Sequence, residues 1–220
     1  MDPVLSPIWV SLKTATAATG ITFFLGIFAA RLMAGYRGRG RNMIDGLLII
    51  PLVLPPTVIG FGLLLIFGRH GPVGKALEYF GYQIIFSWPA AVIAAFVVSF
   101  PLMYQTARGA FEQIDPNLVN AARILGDPEW AIFWRVIIPL SWPSIMAGIT
   151  LSFARALGEF GATLMLAGNI PGKTQTIPIA IYFAVAAGQT ERALIWVSLI
   201  LIIALTTIIG LNYWRSYQLK

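Results

Sequence analysis

The 220-residue chain is 58% hydrophobic and only 11% charged, with a mean hydropathy of +0.79. Soluble domains carry about 25% charged residues, so this composition excludes a soluble globular protein and predicts an all-α integral membrane one. The net charge of +6 sits mainly at the ends of apolar runs, where the positive-inside rule puts it, and no nucleic-acid partner is expected. With no cysteine, and a lone His70 beside Arg69, neither a disulfide framework, a metal centre nor a cofactor is expected.

The first apolar run, about residues 8–33, is long enough to span a bilayer and opens with Asp2 rather than a basic segment, so it reads as a span and not a cleavable signal. Ser11, Thr14, Thr16, Thr19 and Thr22 lie in its first half; hydroxyls bond back to their own helix or across to a neighbour. Lys13 can snorkel outward, and Ala17, Gly20 and Ala30 permit close packing. The loop that follows, AGYRGRGRN, carries Arg37, Arg39 and Arg41. This is the strongest topology marker and predicts a cytoplasmic loop with the N-terminus outside.

The second span is predicted over about residues 44–67 and contains PLVLPPTVIGFG. Pro51, Pro55 and Pro56 each remove a backbone donor, and broken backbone at membrane depth is tolerated only against protein or a water-lined cavity. Pro55, Pro56 and Thr57 are therefore candidate pathway residues; a packing kink without a transport role is the alternative. Residues 68–83 read as an external loop with an amphipathic surface helix over 75–80. The third span, about 84–107, returns to the cytoplasm at Arg108.

Residues 108–138 form the longest polar interruption in the chain. Asp115 and Pro116 read as an N-cap and a first-turn proline, and Leu118, Ala121, Ala122 and Leu125 recur at helical spacing. Gly126 ends that helix, and Asp127-Pro128 starts another. A helix of about ten residues cannot cross a bilayer, which needs about 20. It is expected to lie outside the hydrocarbon with one apolar face turned to a partner.

The fourth span, about 139–166, holds Arg155 and Glu159, four residues apart and so expected to share a helix face and pair. Ionisable groups inside a span are functional candidates by default. Arg155 either supplies a positive field to a pathway or is neutralised by Glu159 in a structural pair. Asn169-Ile-Pro-Gly signals a turn. Residues 177–187 are apolar but too short to span, which suggests a re-entrant or surface helix on the outer side. The fifth span, about 193–213, ends at an aromatic and basic anchor, Trp214, Arg215 and Lys220, that would put the C-terminus in the cytoplasm. Counting 177–187 as a sixth span would move Arg215 and Lys220 outside, against the rule.

The polar loop is similar to that of bacterial ABC importer permeases, whose pattern is Glu-Ala-Ala, three residues, Gly, nine residues, Ile, one residue, Leu-Pro. The matching residues are Asn120, Ala121, Ala122, Gly126, Val136, Ile138 and Pro139, with Asn120 departing from Glu. The strings PLVLPPTVIGF, GRHGPVG, PLMYQTARGAFEQIDPNL, LGEFGATLMLAGNIPGKTQTIPIAIY and AAGQTERA extend the likeness over nearly the whole chain. They resemble the molybdate-transport branch, with sulfate/thiosulfate permeases as near relatives.

The resemblance implies a single transmembrane domain of the type I ABC importer permease fold over residues 1–220. It implies a homodimer in the lipid of the bacterial or archaeal cytoplasmic membrane, with two copies of a cytoplasmic ATPase below and an extracytoplasmic oxyanion-binding protein above. The coupling loop would engage the ATPase through Asn117, Asn120, Ala121, Ala122, Arg123, Gly126 and Pro139. The expected cargo is molybdate or tungstate, with sulfate/thiosulfate as the alternative.

No catalytic residues are expected, because the chain lacks a Walker P-loop and any acid/base, thiol or metal constellation. A secondary anion transporter is a rival class, but it would carry internal repeats and midplane carboxylates. A channel would need a filter or charged ring.

Overall fold

The structure, a computed structural model, describes residues 5–218, and every regular element among them is helical. Three long helices form the centre: α1 (Ser6–Gly35), α5 (Trp88–Glu112) and α8 (Ile138–Leu157). In lipid, apolar burial does not drive helices together, so close backbone approach and shared hydroxyls must hold them. Both devices are present. A Cβ on Gly26 would lie 2.8 Å from Met103 Cγ, and one on Gly148 would lie 2.8 Å from Met103 Sδ. Met103 of α5 is thus seated, fully buried, between glycines of α1 and α8. Thr22 Oγ1 and Ser99 Oγ are 3.2 Å apart, and Ser152 Oγ donates to Ser99 O at 3.4 Å, so buried hydroxyls link all three helices. Trp88 Nε1 donates to Thr14 Oγ1 at 3.1 Å, and the Lys13 ammonium lies 3.8 Å from the centre of the same indole.

The expected second span is not one helix. The path bends by 115° between α2 (Arg41–Val53) and α3 (Pro56–Phe67). The cause is local: a residue before proline is driven to extended backbone. Leu54 and Pro55 each precede a proline, and their ψ angles are 143° and 138°. Pro51, by contrast, is carried inside α2. α4 (Pro72–Tyr79) follows in the loop, where Arg69 Nε meets Glu78 Oε1 at 3.2 Å.

After α5 come α6 (Pro116–Ile124) and α7 (Glu129–Ile132). α7 runs through a π turn, Phe133–Ile137, into α8, so the fourth long helix starts ten residues before the expected boundary at 139. Pro139 explains the π turn: it has no N–H for the carbonyl four residues back, and the ladder shifts to a five-residue bond, Ile138 N–H to Phe133 O. At its other end this helix stops at Leu157, short of the expected 166. After a break at Gly158–Phe160 a separate α9 (Gly161–Ala167) begins.

Thr174 then organises the loop, accepting from Ile170 N at 3.0 Å and donating to Gly168 O at 3.3 Å. α10 (Ile177–Ala186) is ten residues long and apolar, and α11 is Thr190–Gln218. Four helices among the described residues are long and apolar enough to cross a membrane, or five with the bent α2–α3 pair counted as one span. The expected anchor at Trp214, Arg215 and Lys220 lies outside the described residues, for Trp214 and Arg215 through their side chains.

Candidate coupling and translocation sites

The short helix α6 is made by its ends. Asp115 Oδ1 accepts the Asn117 N–H at 2.9 Å, and Pro116 occupies the first turn. Gly126, at φ +89°, takes the left-handed conformation that ends the helix cheaply only for glycine. The second predicted cap differs: Pro128, not Asp127, precedes α7, and no side chain caps it. Asp127 instead faces Arg135 at 3.9 Å.

The two alanines of the loop have opposite surroundings. Ala122 is 7% exposed and packs into the same core as Met103, Tyr104, Ile132 and Ile137. Ala121 is exposed, as are Asn117, Asn120, Arg123, Gly126 and Pro139. Ala122 seats α6 on its own bundle, and of the two alanines only Ala121 is turned outward. The outward apolar surface comes instead from Ile124 and Leu125, 86% and 84% exposed, with Leu118 beside them.

Arg123 fixes the turn. Its Nε and Nη2 lie 2.5 and 3.2 Å from Glu129 Oε1 and Oε2, and its Nη1 donates to Asn120 Oδ1 at 3.1 Å. Asn120, standing where the importer pattern has Glu, thus accepts from the Arg123 guanidinium. The hydrogen bonds it donates to Glu129 push the Arg123 pKa above its ordinary value. Arg31, at the end of α1, reaches Glu129 Oε2 at 3.5 Å. The first basic loop and α6 are therefore at the same end of the bundle. The packing outweighs the ion pairs: full burial of Ile132 is worth about 1.5–3 kcal/mol, whereas exposed pairs give at most about 1 kcal/mol.

The candidate pathway residues gather where two helix breaks meet. Built on Gly161, a Cβ would lie 3.2 Å from both Pro56 Cβ and Thr57 Cγ2; built on Gly60, it would lie 2.7 Å from Ala162 Cα. The start of α3 thus crosses the start of α9 at backbone contact. Pro55 and Thr57 are exposed on the single chain and Pro56 half-buried.

Arg155 and Glu159 do pair, with Nη1 to Oε2 at 2.8 Å, in an ionic contact without hydrogen-bond alignment. They do not share a helix, because Glu159 lies beyond the end of α8. Its other oxygen accepts the Ala162 N–H at 2.8 Å, and the carboxylate is 1% exposed. Glu159 is thus the capping group of the elbow, and Arg155 is the cation that balances it.

A third polar cluster carries no sequence motif. Arg108 Nη1 donates to Asp45 Oδ1 and, at 3.3 Å, to Tyr104 OH, while its Nε donates to Glu112 Oε1 at 2.9 Å. Tyr104 OH donates to Asp45 Oδ1 at 2.7 Å, and Arg41 Nη2 to Glu112 Oε1 at 2.6 Å. The network ties α2 to the last turns of α5. The available signals were Tyr104, Arg108 and Glu112 at successive four-residue spacings, and Asp45 as the one acid of an apolar helix.

Comparison with known proteins adds to this geometry. Residues 22–213 match the family described as "Binding-protein-dependent transport system inner membrane component". The putative molybdenum transport system permease protein YvgM of Bacillus subtilis (strain 168) is 46% identical over 200 residues, covering 90% of this chain and 88% of its own. The molybdenum transport system permease protein ModB of Haemophilus influenzae (strain ATCC 51907 / DSM 11121 / KW20 / Rd) is 41% identical over 221 residues, covering 98% and 95%. Among solved structures, the inward-facing MetNI methionine ABC transporter superposes with a TM-score of 0.79 at 16% identity, over 97% of this chain and 95% of that one. That likeness establishes the shared permease fold.

Proposed function

The chain belongs to the family of binding-protein-dependent transport system inner membrane components, and from that premise we propose that it is the permease subunit of an ATP-driven ABC importer for molybdate or tungstate. The two relatives described above carry the names of molybdenum transport permeases, YvgM as a putative one, and align over about nine tenths or more of this chain. In this reading the chain is a multi-pass protein of the cytoplasmic membrane. It works as a homodimer with two copies of a separate ATPase and an external oxyanion-binding protein, and carries out no chemistry itself.

The observation that carries the coupling role is α6. It is seated by Ala122, braced by Arg123 and Glu129, and presents Ile124 and Leu125 almost wholly exposed. Such side chains suit a groove in a partner. Charge supports the orientation: Arg31, Arg37, Arg39 and Arg41 lie at or near the α6 end, which the positive-inside rule makes cytoplasmic, with the N-terminus outside and the C-terminus inside. A tetrahedral dianion suffers heavily in hydrocarbon. The junction of α3 with the Arg155–Glu159 elbow is where polar groups and broken backbone coincide, and Pro55, Pro56, Thr57, Arg155 and Glu159 are its residues.

The test is reconstitution of the permease in liposomes with an ATPase and an oxyanion-binding protein of the same importer class. Uptake of labelled molybdate is expected only with ATP and all three components, and is expected to be suppressed by excess tungstate more than by sulfate. ATP-independent uptake by the chain alone would refute the importer reading. Stronger suppression by sulfate would move the cargo to sulfate.

A further inference from the structure

A cleft of about 440 Å³ opens between the end of α1, the start of α2 and α6. Arg31, Arg37, Arg41 and Arg123 line it, and among the described lining residues Glu112 is the one acid. Every carboxylate in reach is already divided between cations or otherwise engaged. Glu112 Oε1 accepts from Arg41 at 2.6 Å and from Arg108 at 2.9 Å. Glu129 is held by Arg123, with Arg31 at 3.5 Å. Asp45 takes Arg108, and Asp115 is spent on the α6 N-cap.

Four guanidiniums, those of Arg31, Arg37, Arg41 and Arg123, thus line the cleft against the single carboxylate of Glu112, and that carboxylate is itself shared with Arg108. Two donor groups are left over. Arg37 has no ion pair or hydrogen bond among the described residues, and Arg41 Nε is buried without a hydrogen-bond partner. A buried donor without an acceptor is costly, and a cleft in which cations outnumber acids four to one concentrates anions.

We propose that this cleft binds a phosphate-type tetrahedral oxyanion, on an anionic lipid headgroup or free in solution, with Arg37 and Arg41 as its principal ligands. Guanidinium forks match such oxygens two at a time. Basic pockets between transmembrane helices at the membrane surface are suited to phosphate head groups. Arg37 and Arg41 come from a loop and the start of a helix, so the ligand would also pin the α1–α2 connection to α6.

Arg37→Ala is the discriminating variant, because it breaks no existing bond. Arg39→Ala removes the same charge from the same loop at a position that does not line the cleft. The full chain is placed in nanodiscs. In one arm, native mass spectrometry measures retention of phosphatidylglycerol against phosphatidylcholine. In the other, inorganic phosphate is titrated into pure phosphatidylcholine discs. Binding is expected in at least one arm, weakened about fivefold by Arg37→Ala and unchanged by Arg39→Ala; the arm that responds identifies the source. Arg37→Lys is expected to fall between, since charge survives without the fork. Absence of binding in both arms, full binding by Arg37→Ala, or equal losses in the two alanine variants overturns the site. Neither arm measures transport, so failure here leaves the importer reading untouched.

Discussion

Arg123 grips Glu129 across the Gly126 turn with two nitrogens on two oxygens, at 2.5 and 3.2 Å. The pair is half exposed, with side chains 50% and 56% accessible, so its worth lies in direction rather than stability: it fixes the angle between α6 and the long helix that begins at Glu129. Arg123→Ala is expected to leave the melting temperature of the purified permease within a degree or two, while ATP-driven uptake falls at least severalfold. Arg123→Lys is expected to restore little, because an ammonium cannot make the two-point contact. Normal uptake in Arg123→Ala would show that the brace is dispensable.

Gly126 is open on all sides: a Cβ there would meet nothing within 4 Å, and the residue sits at φ +89°. Backbone, not space, is therefore the constraint. A side chain there costs about 1–2 kcal/mol of left-handed strain. Gly126→Leu is expected to abolish co-purification with the ATPase, Gly126→Asn to keep most of it. A fully coupled Gly126→Leu transporter would remove this turn from the docking surface.

Gly60 and Gly62 lie on the same helix and make a controlled pair. A Cβ on Gly60 would be 2.7 Å from Ala162 Cα, whereas one on Gly62 meets nothing within 4 Å. Gly60→Ala is expected to destabilise by about 1–3 kcal/mol, seen as a lowered melting temperature and lost uptake. Gly62→Ala is expected to behave as the parent in the isolated chain. Equal behaviour of the two would mean that the α3–α9 crossing is looser than described.

Arg155 balances a carboxylate that is almost wholly buried. Arg155→Ala is expected to lower stability by a few kcal/mol, because it strands that charge, and to abolish uptake without loss of ATPase binding. Adding Glu159→Gln removes the stranded charge and keeps an oxygen for the Ala162 N–H. If the double variant regains stability but not uptake, Arg155 faces the cargo. If it regains both, the pair is structural.

The long apolar runs and the short helix α6 were legible because each rests on local signals: hydropathy, an Asp-Pro start and a glycine stop. What stayed hidden required knowledge of neighbours. Ala121 and Ala122 are indistinguishable in sequence, and only the bundle decides that the second faces inward. Glu159 looked like the next helical partner of Arg155 because spacing alone does not reveal that α8 ends at Leu157. The turn at Leu54–Pro55 was readable as distortion but not as a 115° bend, nor was the close approach of Gly161 to Pro56 and Thr57 beside it. Asp45 gave no motif at all, since its partners are on another helix.

The helical path from Glu129 to Leu157 is unbroken over 29 residues, and its π turn keeps the backbone bonded through Pro139. At 1.5 Å per residue it is a strut of about 43 Å. Its points of bending are the π turn with Pro139, near the foot, and Pro143. The far end of that strut stands at Gly158–Phe160, next to Gly161 and the proline bend, so one continuous helix joins the α6 turn to the α3–α9 crossing.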